Sequence, residues 1–171
     1  MERLPENVVR MLRHPGTNKV LSVVSPDGFP HSIVLGAVVV GDDDRIYVGE
    51  AYMYRTSQYL EACPKAEFLA WKGKDGYSVR VVAEGRVTEG PEFDRLSDVL
   101  GRMNMTVNAL WVFRPTEAWD ESASDTSGDR VVRWTSSAPV NSAGCCQPSP
   151  SYAYASAASY SSRYRSLSGS S

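Results

Sequence analysis

"NKVLSVVSPDGFPHSIVLGAVVV", residues 18–40, decides how this chain folds. Residues 18–25 are apolar and largely β-branched, the composition of a half-buried strand. Pro26, Asp27 and Gly28 then supply a fixed φ, a side chain that bonds nearby backbone, and a residue free to take positive φ. Those are the ingredients of a tight turn. Residues 31–40 return as a second strand, so the stretch reads as a hairpin. Working outward, "GDDD" (41–44) turns again and "RIYVGE" (45–50) is a third strand. "AEFLAW" (66–71) is a fourth, and "YSVRVVAEGRVTEG" (77–90) is a long fifth with a bulge expected at Gly85. "NALWVFRP" (108–115) is a sixth, and "RVVRW" (130–134) adds a short seventh.

Three segments carry helical period. "PENVVRMLRH" (5–14) opens on proline, sets Val8, Met11 and Leu12 on one face and stops at Gly16. Residues 55–62 form a short helix ended by Pro64, and "PEFDRLSDVLGRMN" (91–104) stripes Phe93, Leu96, Val99, Leu100 and Met103. Many short strands in succession with few helices between them predict a mainly β chain, an antiparallel barrel plugged by helices.

The chain has 171 residues, enough for one domain and a tail. A folded domain is expected over 1–135. From 136 to 171 the sequence is Ser-rich, with no Asp or Glu and only Val140 and Leu167 as large aliphatics, so it has too little apolar surface to offset the entropy of ordering. The net charge of −2 argues against a general nucleic-acid binder. No run of about 18 apolar residues exists, and residues 1–16 lack an apolar signal core, so no membrane partner and a cytoplasmic location are expected. Three cysteines, Cys63, Cys145 and Cys146, make a poor disulfide framework. The two histidines, His14 and His31, have no Cys or His at metal-ligand spacing, so no metal is expected.

The candidate site is the start of the second helix, where Arg55, Thr56 and Ser57 stand together. Thr56 or Ser57 can cap the helix. A cap does not account for Arg55, because a cation is unfavourable where the helix dipole is positive. A phosphate would resolve the conflict by accepting bonds from the free amides, both hydroxyls and the guanidinium.

In order and spacing, "VLSVVSPDG", "FPHSIVLGAVVV", "DDDRIYVGE", "YRTSQYLEACPKAEF" and "YSVRVVAEGRVTEG" resemble the FMN-binding split β-barrel proteins of the pyridoxamine 5′-phosphate oxidase-like group, from about Val20 to Arg114. The resemblance implies an antiparallel Greek-key split barrel of six to seven strands with short helices. It implies FMN as cofactor and a homodimer with flavin between subunits. Pro30 marks the second strand, so His31, Ser32, Ile33, Val34 and Leu35 match the run whose backbone lines the flavin ring, although His31 also reads as an ordinary histidine near a turn. Tyr47, Val48, Gly49 and Glu50 match the segment beside the ribityl chain and phosphate. Arg55 and Thr56, with Ser57 next to them, match the phosphate pair. Arg80, counted back from Gly85-Arg86-Val87, matches a polar residue at the pyrimidine edge, where a cation would favour reduced flavin. It also reads as a surface arginine paired with Glu84 or a cross-strand acid. Trp111, Trp119 and Trp134 either cover the flavin or fill the core.

The sequence departs from the group in two respects. Thr56 stands where a lysine is common, and the substrate-phosphate arginines and Arg–x–x–x–Trp-type ending of true pyridoxamine phosphate oxidases are missing. The resemblance therefore implies an FMN-dependent oxidoreductase or flavin reductase-like protein with a nicotinamide or other electron donor. The alternatives are a non-catalytic module for flavin or another phosphate ligand, and a split barrel that takes a deazaflavin.

Overall fold

The computed structural model describes residues 3–134. In chain order the elements are α1 (Glu6–Arg13), β1 (Asn18–Val24), β2 (Pro30–Val34), β3 (Val39–Val40), β4 (Ile46–Gly49) and α2 (Tyr54–Ala62). Then come β5 (Lys65–Lys72), β6 (Asp75–Val87), α3 (Pro91–Gly101), β7 (Leu110–Asp120) and β8 (Arg130–Arg133). The expected Ser-rich tail, with Cys145 and Cys146, lies outside the described residues. Among the described residues no helix is long and apolar enough to cross a membrane.

The hairpin of residues 18–34 forms as its sequence suggests. Gly28 takes φ +86°, its amide donates to the Ser25 carbonyl at 2.9 Å, and Val20 faces Val34 across the pair. The expected strand 31–40, however, divides. β2 ends at Val34, and β3 is a separate two-residue strand. Between them Leu35 and Val38 turn into the core, each under a tenth exposed. Gly36, exposed at a bend, is the one residue of the run that marks the break, since the apolar residues around it show no alternation.

That break shapes the whole sheet. Its strands run β2-β1-β5-β6-β7-β4-β3, with β8 added beside β7, and every pairing is antiparallel. The chain therefore passes from one edge strand, β2, to the opposite edge, β3, through residues 35–38 alone. Five residue steps reach at most about 18 Å. A flat sheet of seven strands would hold its edges about 29 Å apart. The sheet must curl until the edges approach, which makes a barrel left open between β2 and β3.

Two irregularities interrupt the β6–β7 pairing, and bulges of this kind bend a strand and increase its twist. Gly85 adopts φ +137° at a register shift between β6 and β7, the expected bulge. A second shift follows Arg80, where Glu117 faces Arg80 and Pro115 faces Val81, leaving Thr116 as the extra residue. The Thr116 hydroxyl donates to the Arg80 carbonyl at 3.1 Å, next to a proline that has no amide to offer. β7 consequently runs on to Asp120, past the expected end at 115. Its far edge serves β4 at residues 110–113 and β8 at residues 117–119.

Inside, Leu21, Val23, Phe68, Val79, Val81 and Phe113 are buried, with the Phe68 and Phe113 rings edge to face at 5.2 Å. Val8 and Leu12 of α1 and Leu60 of α2 join this core. α3 builds a smaller cluster from Leu96, Leu100 and Leu110 against β4. Cys63 is disulfide-bonded, contrary to the expectation drawn from an odd cysteine count.

Candidate functional site

α2 begins without a cap. Met53 occupies the N-cap position, no side chain bonds the first turn, and the turn holds no acidic residue. The Ser57 amide reaches back to the Met53 carbonyl at 2.7 Å, and the amides of Arg55 and Thr56 have no hydrogen-bond partner among the described residues. Arg55 is exposed and, among the described residues, makes no ion pair. Its guanidinium lies 5.8 Å from the centre of the Tyr59 ring. That guanidinium also donates to the Tyr59 hydroxyl at 3.4 Å. Free amides at a helix start, the positive end of the helix dipole and a guanidinium without an acid partner together suit an anion.

The neighbouring hydroxyls are placed differently from the sequence expectation. Thr56 and Ser57 are both buried, and neither caps the helix. Thr56 Oγ1 lies 3.1 Å from His31 Nε2 on β2. Ser57 Oγ accepts from Trp111 Nε1 on β7 at 2.9 Å, a bond buried on both sides. Consecutive residues of α2 thus hold β2, at one edge of the split, and β7, beyond the other. Burial, and secondarily the Arg55 guanidinium, holds the His31 imidazole below its ordinary value. At the hairpin turn Asp27 is held low, chiefly by the Ser25 hydroxyl and in small part by Arg55.

The remaining predicted site residues fall into three groups. On β2 the side chains alternate. Ser32 and Val34 are exposed, Val34 at 85 %, while Ile33 packs against the core and Leu35 is buried. Beside α2 and α3, Val48 is buried opposite Trp111 on β7. A Cβ at Gly49 would come within 2.5 Å of Leu100 Cδ1, so a side chain there would have to displace the Leu100 methyl. Glu50 is paired with Arg86 at 3.1 Å, and the Arg86 guanidinium lies 5.6 Å from the centre of the Trp111 ring.

Arg80 stands apart from Arg55. Ser32, Ser22, Glu67, Arg80, Glu117 and Arg133 face one another in register across six strands, all on the outward face. In this row Arg80 pairs with Glu67 at 3.2 Å and Glu117 at 3.1 Å, and lies 5.4 Å from the centre of the Trp119 ring. Three strand spacings separate it from Ser32, about 14 Å along the sheet. Its partners are cross-strand acids, whereas Glu84 bonds Arg45 and Arg114.

Two side chains of this site were not singled out for these roles by the sequence. Trp111 lies within an apolar run and gives no sign of a polar partner. His31 follows Pro30 at the start of β2, and only the fold shows that α2 crosses it. A cavity of about 460 Å³ lies elsewhere, between α1 and the β5–β6 turn, lined by Arg10, His14, Lys72 and Tyr77 among others. Among the described residues no group of three or more His, Cys, Asp or Glu side chains is placed to hold a metal.

A sheet curled this far, split at one side and crossed by a short helix defines a split barrel, and solved structures share it. An FMN-binding protein from Syntrophomonas wolfei superposes with a TM-score of 0.58 and 22 % identity, over 68 % of this chain and 87 % of that one. A Lactobacillus delbrueckii protein assigned as a pyridoxamine 5′-phosphate oxidase gives 0.53 and 20 %, over 68 % and 93 %. An F420 reductase gives 0.52 and 18 %, over 67 % and 98 %. The chain therefore has the split-barrel fold of the pyridoxamine 5′-phosphate oxidase type. No protein-family model matches the sequence, and no curated protein matches it significantly.

Proposed function

We propose that this protein binds FMN and works as an oxidoreductase of the flavin reductase-like kind. The observation that carries the reading is the uncapped start of α2, where the Arg55 and Thr56 amides are without partners and the Arg55 guanidinium, bonded only to the Tyr59 hydroxyl, makes no ion pair among the described residues. A phosphate monoester satisfies all three at once. Ser32 and Val34, exposed on the outward face of β2, offer the flavin ring a surface on the strand that meets α2 through His31. Bound FMN would supply the electron transfer, and the chain supplies position and electrostatics.

The site lies on an open surface. Exposed apolar side chains gather on the elements that carry it: Phe29 at the hairpin turn, Val34 on β2, and Tyr52 and Tyr54 at the start of α2. A second copy of the chain fits there as the opposite wall, giving a homodimer with flavin between subunits. Arg80, exposed and already paired with two carboxylates, acts on the flavin only weakly or from the partner's side.

The test is direct. Purified protein should carry the visible absorption of a flavin, release FMN on denaturation, and bleach with NADH or NADPH. Protein that stays colourless and binds no added FMN removes the reading. Absorption of a deazaflavin points to that cofactor instead, and flavin that no nicotinamide reduces favours a binding module.

A further inference from the structure

We infer that His31 is a positioning residue of the α2 site, setting the Thr56 hydroxyl so that a dianionic phosphate is taken up together with a proton. This rests on the phosphate reading above. His31 Nε2 and Thr56 Oγ1 are 3.1 Å apart, and the Tyr59 ring holds the imidazole edge-on at 5.3 Å. A threonine hydroxyl has one proton to donate. When Nε2 is bare, that proton is drawn to the ring, and Thr56 offers an incoming anion only lone pairs. When Nε2 carries a proton, in the imidazolium or in the neutral Nε2–H tautomer, it donates to Oγ1 and the hydroxyl proton turns toward the helix start. There it joins the free amides of Arg55 and Thr56. Of the two protonated forms, the imidazolium is the one a bound dianion favours.

The surroundings favour the same coupling. The groups that bear on His31 are Arg55, Thr56 and Tyr59 from α2, with apolar Val23 opposite it on β1. Asp27 at the turn senses Arg55. Arg55 is the one cation among them, and it disfavours the imidazolium. A phosphate dianion cancels that effect and reverses its sign. The pKa of His31 is therefore higher in the complex than in the free protein, and by linkage binding strengthens as pH falls through that interval. The phosphate titrates in the opposite sense, since its second pKa is about 6 and a site that prefers the dianion drives proton release.

Calorimetric titration of FMN into flavin-free protein at pH 7.5, in two buffers of different ionisation enthalpy, counts the protons exchanged. The wild type should take up a measurable fraction of a proton, and its FMN affinity should fall as pH rises through the interval between the His31 pKa of the free protein and that of the complex. Riboflavin, which lacks the phosphate, should bind with no uptake. His31→Gln keeps a neutral donor and should abolish the uptake and flatten the pH profile. No proton uptake by a wild type whose FMN binding still depends on Arg55 overturns the role of His31 and leaves the phosphate site standing. FMN binding indifferent to Arg55→Ala overturns the phosphate site and this inference with it. If His31→Gln does not fold, the contrast between FMN and riboflavin in the wild type decides.

Discussion

Removing the Ser57 hydroxyl separates its two possible uses, holding the fold or holding a phosphate. In the structure Ser57 Oγ accepts from the Trp111 indole N–H at 2.9 Å, with Ser57 5 % and Trp111 4 % exposed. Ser57→Ala strands that N–H where water does not reach it, a loss of about 1–3 kcal/mol. For a domain of this size each kcal/mol lowers the melting temperature by about 4 °C, so a drop of about 4–12 °C is expected. Trp111→Phe removes the donor instead. It leaves a hydroxyl that can turn to the carbonyl one helical turn back, and it adds the loss of packed ring volume. The double substitution should reveal a coupling of about 0.5–1.5 kcal/mol, read from urea unfolding of all four proteins. FMN affinity of folded Ser57→Ala should stay within about threefold of wild type, because the hydroxyl already serves the tryptophan. A stable Ser57→Ala with a large, phosphate-dependent loss of FMN would refute this assignment. It would return Ser57 to the ligand.

Other consequences follow from single contacts. Gly49→Ala drives a Cβ into Leu100, itself buried in the α3 cluster, and should destabilise by about 1–3 kcal/mol with no effect specific to the phosphate; an unchanged melting temperature would show that α3 yields freely. Arg80→Met should shift the potential of bound flavin by well under about 30 mV, the two-electron equivalent of roughly 1.4 kcal/mol, because the guanidinium is exposed and paired with Glu67 and Glu117. A larger downward shift in dye-coupled titration would place Arg80 at the ring. Val34→Arg puts a charge among the exposed apolar side chains of the elements that carry the site and should convert a dimer to monomers in sedimentation equilibrium. A wild type that sediments as a monomer would remove the second copy from the account.

The succession of strands along the chain was legible because the turns announce themselves. Pro26-Asp27-Gly28 and the glycine at 85 sit where the backbone takes positive φ or shifts register. The division of 31–40 into β2 and β3 is signalled only by Gly36, a glycine inside a strand pattern, because Leu35 and Val38 resemble the strand residues around them. Yet that division lets the chain cross the split. The extension of β7 past Pro115 was hidden. A proline reads as a strand end, and here a bulge with Thr116 behind it accommodates the missing amide. At the site, Arg55 stood out because its charge opposes the helix dipole, and it remains without an ion pair among the described residues. The fates of Thr56 and Ser57 depended on partners 25 and 54 residues away in sequence, His31 and Trp111. No local pattern encodes such contacts.

The phosphate site at α2 is the central claim, and Arg55→Ala measured with FMN and riboflavin side by side tests it most directly. Loss of a charge-assisted contact of about 1.5–3 kcal/mol predicts FMN binding weakened by roughly 10- to 150-fold. Riboflavin should change by less than about threefold, and the fold should be retained, because Arg55 is exposed and outside the core. Equal losses for both ligands, or no loss for either, would contradict the account.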